Sequence, residues 1–416
     1  MRKLVDMKTL IVGGGIGGLT AALCLHRVGF EVEILEAVPE ILPLGVGINL
    51  LPHGASVLHR LELGERLDSV GVRTRAIEYR TKFGHVITSD LRGTEAGFEF
   101  PQYSIHRGLL QMILLNTVRE RLGTHRIKTG RKVEAFAQND SGVTAFFTDM
   151  STGKNAGSTE GDILIGADGF HSNIRRQLHP NESPPRYEGM MMWRGVSYFA
   201  PFGDGRTMFI AGNHDIKLVC YPISLNLDNC GNIPINWVAE SRQGNPREAI
   251  TADWNRLGDA SFIQHFHDFT MHDIDVRLLL ESAGDIFEYP MVDREPLPSW
   301  GEGRVSLLGD AAHPMYPVGA NGASQAILDG EELASSMEKY PPMEALRKYE
   351  GNRLTRTKEV VLANRKWGPE KVLDIADKRI SSSTDRVEDF ITAEEIEEVA
   401  RAYRDVAGFR KKMDAL

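Results

Sequence analysis

Three short motifs, far apart in the chain, carry residue types whose spacing implies chemistry. Gly13-x-Gly15-x-x-Gly18 follows the apolar run Lys8–Val12 and opens a helical pattern. In that setting Gly13 permits a tight turn, Gly15 lets the backbone come close to a pyrophosphate, and Gly18 allows a helix to pack against a strand. The helix N-terminus then faces the anion. Glu36 ends the next apolar run, where a carboxylate accepts hydrogen bonds from a ribose. A dinucleotide is implied, and FAD, NAD and NADP all satisfy the pattern. Gly309-Asp310 narrows the choice, because there a strand-like run ends in a carboxylate suited to a hydroxyl-rich chain such as a ribityl. In the following loop, Pro317 to Ala323, the small residues Gly319, Gly322 and Ala323 let a flat ring approach. A helix beginning near Gly322 offers free N–H groups to the negative charge of a reduced flavin. With Gly166-Ala167-Asp168-Gly169 between them, the motifs point to FAD.

The elements that must position these residues follow from periodicity. Strand 8–12, a helix through Leu19, Leu23, Leu25 and Val28, and strand 31–37 make a βαβ start, with Gly29 ending the helix. Two β-like stretches around Gly84 predict a hairpin within 74–100. Leu110, Ile113, Leu114, Val118 and Leu122 fall on one face of a helix over 107–122. Residues 132–149 alternate as a meander, and 162–167 and 304–308 are buried, parallel-type strands. From 185 to 290 the texture changes to strands at 191–199, 207–211 and 217–223, then helical stretches at 254–269 and 274–280. Helices follow at 322–337 and 343–364.

The expected fold is α/β: a doubly wound, Rossmann-like FAD-binding domain of GR2 type, an inserted β-sheet substrate domain and C-terminal helices. Segments 1–75, 101–184 and 291–366 are assigned to the FAD domain. The hairpin 76–100 and segment 185–290 go to the substrate domain, and 367–416 to a helical tail. In the tail, 379–384 reads as a linker. Thr392 and Glu395 form a capping box, Ile391 and Ile396 a hydrophobic staple. The stripe Ile396, Val399, Ala400, Tyr403 and Val406 suits a helix docked on its own body.

Composition excludes several function classes. Of 416 residues, 42% are hydrophobic and 25% charged, as in ordinary soluble proteins with room for two domains or more. The net charge of −9 argues against nucleic acid and against a polybasic membrane anchor. No apolar run approaches the ~18 residues of a membrane span. Met1-Arg2-Lys3 leads into the first strand rather than a signal segment. Three cysteines, Cys24, Cys220 and Cys230, make no disulfide framework, which suits the cytoplasm. His265, His267 and His272 match no metal-ligand spacing, so no metal is expected, and His313 reads as a packed, hydrogen-bonded residue.

With Phe170-His171-Ser172-Asn173-Ile174-Arg175 extending the middle motif, the three motifs resemble the aromatic hydroxylases among FAD monooxygenases (class A, the para-hydroxybenzoate hydroxylase type). Segments 43–49, 103–107, 192–196, 289–294 and 315–330 resemble the phenazine-modifying monooxygenases in particular. That likeness runs over residues 8–366 and fades in 207–269. It implies that NADH or NADPH, bound transiently, reduces FAD. O2 then gives a C4a-hydroperoxyflavin whose terminal oxygen passes to an electron-rich aromatic or heteroaromatic ring. A carboxylate on the attacked carbon would be lost in that step.

The resemblance also implies residue roles. Arg107, in an R-x-x-L pattern with Leu110, stands at the family's helix-opening arginine. Ile16, Gly47 and Val133 join the cofactor contacts, and the Asp168 motif lies near both FAD and the nicotinamide path. The segment 45–47 lets the flavin move. Pro317 borders the reacting edge, and no side chain is assigned as catalyst because the flavin carries the chemistry. Trp193 and Arg194 are strand neighbours and so face opposite ways. One of them lines the pocket, Arg194 being suited to a carboxylate, and Tyr221 and Met291 are further substrate-side candidates. The partner is then a small aromatic molecule for a monomer or homodimer. Rival readings are a halogenase or double-bond reductase, or a non-catalytic flavin-dependent binder. No Trp-x-Trp-x-x-Pro stretch supports the halogenase.

Overall fold

The computed structural model describes residues 7–150, 152–244, 256–366 and 370–399, without the side chains of 154–156. Its central sheet has six strands in the order Gly301–Glu302, Val305–Leu307, Ile163–Gly166, Lys8–Val12, Glu31–Leu35 and Ile127–Lys128. All neighbours are parallel except the edge pair Gly301–Glu302 and Val305–Leu307. Continuous burial of Ile163–Gly166 and Val305–Leu307 is what a parallel strand covered on both faces requires. The strand order reverses between Lys8–Val12 and Ile163–Gly166, which makes the crevice at their carboxyl ends the natural ligand site of a doubly wound sheet. Helices Ile16–Arg27, Arg107–Leu122 and Gly322–Lys339 pack together beside it. The first and last of these approach closely at Gly330, where a Cβ would lie 2.9 Å from the Ala21 amide nitrogen.

A second, seven-stranded sheet runs Ile286–Asp293, Arg186–Phe199, Ile233–Arg242, Ile216–Pro222, Thr207–Gly212, Ala76–Arg80 and Val86–Leu91. The hairpin around Gly84 thus forms one edge of a sheet whose other strands come from after residue 185. Its two faces differ in chemistry. On one, Trp193, Phe209, Leu218, Trp237, Phe262, Phe266 and Leu279 form an apolar core, with the Trp237 ring lying over Gly195. On the other stand Met190, Met192, Arg194, Val238, Asn236 and Tyr221, because residues two apart on a strand share a face.

Helical structure in the expected 254–269 region is a 3-10 segment, Ala260–Phe266, while residues 254–255 lie outside the described chain. Beyond residue 370, helix Lys371–Arg379 lays Val372, Leu373 and Ala376 on Tyr79, Ile87 and Ile210 of the second sheet. The capping box is formed: Thr392 N–H donates to Glu395 (3.0 Å) and Glu395 N–H to Thr392 Oγ1 (3.2 Å). Ile391, Ile396 and Val399 pack into the same cluster. Ala400, Tyr403 and Val406 lie outside the described residues.

A buried ionic knot ties the third motif to the helices. Asp329 accepts hydrogen bonds from His313 Nε2 (2.6 Å), from the Gly309 amide (3.0 Å) and from Arg353 Nε (2.7 Å). His313 is therefore a packed residue of the framework. Burial alone would raise the Asp329 carboxyl, but the charges of His313 and Arg353 and their hydrogen bonds outweigh it and hold the pKa down at about 2. A folded pKa below the unfolded value of 3.8 stabilises the fold fully above that value and is lost as pH falls through it toward 2. We therefore expect chemical denaturation to show the wild type losing about 2 kcal/mol more than Asp329→Asn between pH 4 and pH 2. The variant should start lower at neutral pH by roughly 3–5 kcal/mol, because Arg353 is left without its carboxylate.

Candidate functional site

The three sequence motifs meet at the carboxyl ends of adjacent parallel strands. Gly13, at φ +110°, has no room for a side chain, since a Cβ there would stand 2.3 Å from the Ala167 carbonyl oxygen. A Cβ on Gly17 would lie 2.8 Å from Leu308. Glu36 braces the turn between strand and helix, accepting from the Gly14 amide (2.5 Å) and from the Val38 amide (2.8 Å). On the other side Gln111 Nε2 donates to the Gly14 carbonyl (2.8 Å). Helix Ile16–Arg27 begins with neither a side-chain cap nor an acidic residue in its first turn, which leaves its N–H groups to an anion.

The residues fit FAD. A Cβ on Gly15 or Gly169 would meet nothing within 4 Å, whereas one on Gly18 would lie 2.1 Å from the Gly13 carbonyl. Gly15 therefore borders open space and Gly18 a packed one. Asp310 is solvent-accessible yet ringed by protein. Burial pushes its carboxyl up, with His313 and Arg107 drawing it back. Gly322 lies beside it, 4.0 Å from a Cβ position to Asp310 Oδ1, at the start of a helix with no side-chain cap. Gly319 adopts φ +70° in the loop before that helix, and Ala323 follows, half-buried.

Other expected cofactor residues have more specific positions. Asp168 spends its carboxylate on Ser172 Oγ (2.5 Å) and the Asn173 amide (2.8 Å), so it shapes the turn into helix Asn173–Leu178. Burial raises its pKa against those hydrogen bonds. Val133 is buried in the main core, and its carbonyl accepts from Asn173 Nδ2 (2.8 Å). Ile16 is half-buried at the helix start. Arg107 is exposed, its amide bonded to the Val46 carbonyl (2.9 Å) and its side chain beside Gly45.

Arg194 joins the second sheet to the strand that begins at Gly47. Its Nη2 donates to the Gly47 carbonyl (2.6 Å) and its Nη1 to the Tyr289 hydroxyl (2.9 Å). The Tyr221 phenol lies near it as well. Burial opposes the arginine's charge, and the two phenols more than restore it, while burial pushes the Tyr221 hydroxyl up to about 12. Among the described residues Arg194 makes no ion pair. Asn236 Oδ1 accepts the Gly47 amide (2.6 Å). Gly47 is thus gripped at both backbone groups from the second sheet, which confines the freedom expected of 45–47. Met190, Met192, Met291, Tyr289 and Val238 pack with Tyr316 and Val318 into one buried apolar cluster beside Arg194, and Pro317 is exposed on the loop between those last two.

Trp193 lies away from Arg194, contrary to its expected place among the substrate-side residues. It faces the opposite side, stacked on Phe262 with ring centroids 4.9 Å apart. The larger apolar ring goes where a core exists, and the cation goes to the side with polar partners. Asn236, Tyr289 and Gln111 escaped the sequence reading. Only Asn236 left a signal, a polar residue inside the buried run Ile233–Arg242. Among the described residues no group of His, Cys, Asp and Glu is arranged to hold a metal, and no helix is long and apolar enough to cross a membrane.

A doubly wound sheet with these motifs at its switch point, tied through Gly47 to a second sheet that carries Arg194, suits an FAD-dependent aromatic hydroxylase, working with NAD(P)H and O2. The FAD binding domain family matches residues 6–213 and 283–363, and the chain belongs to it. It is 44% identical to phenazine 1,6-dicarboxylic acid hydroxylase of Lysobacter antibioticus, across 86% of this chain and 88% of that one. It is 33% identical to 3-amino-4-hydroxybenzoate 2-monooxygenase of Streptomyces cremeus, across 85% of each. The fold is similar to that of Klebsiella pneumoniae HpxO complexed with FAD and uric acid, with a TM-score of 0.75, 24% identity and coverage of 98% and 97% of the two chains.

Two glycines separate cofactor contact from folding. Gly15→Ala should leave the thermal stability of the apoprotein unchanged and weaken FAD binding by about tenfold or more, read by fluorescence titration. Gly18→Ala should destabilise the apoprotein itself, by at least roughly 1–3 kcal/mol. Equal loss of apoprotein stability in both variants would contradict this assignment.

Proposed function

We propose that the enzyme hydroxylates a flat, carboxylated aromatic or heteroaromatic ring of phenazine type, with the carboxylate held by Arg194. The observation that carries this reading is a guanidinium that makes no ion pair among the described residues and stands beside a cluster of buried methionines. An arginine fork matches a carboxylate, and thioether side chains suit the faces and edges of aromatic rings. The name of the Lysobacter relative supports the same substrate class.

FAD, when bound, supplies the activation of O2 and delivers one of its oxygen atoms. The overall reaction is ArH + O2 + NAD(P)H + H+ → ArOH + NAD(P)+ + H2O. Where the attacked carbon bears the carboxylate, CO2 leaves in place of the ring proton. The chain's own task is positional. Arg194 and Tyr289 orient the substrate, the methionines and Tyr316 exclude water, and the Gly319–Ala323 loop borders the ring. We read the protein as cytoplasmic, acting on a small molecule as a monomer or homodimer, without nucleic acid or membrane. The three free cysteines and the net charge of −9 support this.

The test compares phenazine-1-carboxylate with its carboxamide. Arg194→Met should weaken binding of the carboxylate by about a hundredfold, equivalent to about 3 kcal/mol. Carboxamide binding, followed by the oxidised flavin spectrum, should change little. Product mass then distinguishes gain of oxygen from exchange of the carboxylate for hydroxyl. An equal loss for both compounds would assign Arg194 to holding Gly47 alone and remove the reading.

A further inference from the structure

The same sheet face carries a second set of buried charges. Met192 is paired with Tyr289 on one side and with Glu240 on the other, and Glu240 is paired with Lys217. This row lies two residues along the strands from Arg194, Val238 and Val219. Glu240 and Lys217 therefore stand on the face of Arg194, displaced by about 7 Å, a distance comparable with a fused-ring skeleton. Lys217 Nζ lies 3.0 Å from Glu240 Oε2 and also bonds Glu370, which arrives from the C-terminal segment. All three side chains are at most 6% exposed.

One ammonium among two carboxylates leaves a single negative charge, or none when Glu240 is protonated. Burial favours the neutral acid by raising the Glu240 carboxyl. In neither state does this end of the cleft offer a positive charge, whereas the Gly47 end holds the unpaired guanidinium of Arg194. Polarity therefore runs one way along the face of the sheet that carries Arg194.

We infer that the cleft selects a monocarboxylate, its acid group at Arg194 and its opposite ring neutral or cationic. Glu240 and Glu370 are the specificity determinants that reject a second carboxylate. The inference rests on the reading of Arg194 given above. It separates this enzyme from a relative named for a dicarboxylic acid. A second anion brought against the Lys217 set finds its one cation already held by two carboxyl groups in a dry site, and so loses its water without gaining a partner.

The experiment uses the FAD-loaded enzyme at neutral pH with phenazine-1-carboxylate and phenazine-1,6-dicarboxylate. It measures kcat/KM and, without turnover, dissociation constants from the flavin spectrum. The wild type should prefer the monocarboxylate by about a hundredfold. Glu240→Gln and Glu370→Gln should each narrow that gap through KM for the dicarboxylate. A wild type that accepts the dicarboxylate equally well overturns the inference, and the Arg194 reading survives if Arg194→Met still weakens both acids. A preference that neither glutamine variant narrows removes the glutamates as its cause. Failure of both acids to bind overturns the inference together with the proposed substrate class.

Discussion

The approach of Gly13 to the Ala167 carbonyl, close enough that a methyl group would stand 2.3 Å from the oxygen, sets the geometry on which the cofactor side depends. It joins the ends of two parallel strands, Lys8–Val12 and Ile163–Gly166, at the point where the sheet's order reverses. Gly18 must then seat its helix against Gly13, and Gly17 must admit Leu308 from the next strand but one. Glycines are required here for want of space, while Gly15 is free to face a ligand. The Asp329 knot continues the same framework behind the third motif, fixing Gly309 and His313 through one carboxylate.

A second constraint couples the two sheets. Gly47 donates its amide to Asn236 and receives Arg194 on its carbonyl. Each buried neutral hydrogen bond contributes about 1 kcal/mol, and one from a charged donor about 1.5–3 kcal/mol. The residue proposed to hold the substrate therefore also fixes the backbone at Gly47, which is proposed to border the flavin. A carboxylate drawing on the same guanidinium would act on that segment without touching it, so recognition and cofactor position share one side chain.

The face of the second sheet that carries Arg194 is mostly apolar, with polar groups only at separate points. Methionines and tyrosines fill the face that meets the Tyr316–Val318 loop, and the charges lie at separate places along the strands. The C-terminal segment does more than cover an edge. Its helix Lys371–Arg379 shields Ile210 and Tyr79, and Glu370 reaches Lys217 inside the substrate sheet. Chain far from the glycine motifs thus helps set the electrostatics of the sheet face that carries Arg194.

The sequence by itself determined the cofactor side. Gly13, Gly15, Gly18, Glu36 and Asp310 declare themselves because their work is done within a few residues, at turns and helix ends whose chemistry is local. The helix over 107–122 and the capping box at Thr392 were legible for the same reason. Alternation also said that Trp193 and Arg194 face opposite ways, but not which way. Phe262 decided that, by supplying the aromatic surface on which Trp193 stacks. Asn236, Tyr289 and the Glu240–Lys217–Glu370 set became visible only in the tertiary structure. Each acquires its meaning from a partner on another strand or helix, and strand register and domain packing bring those partners together.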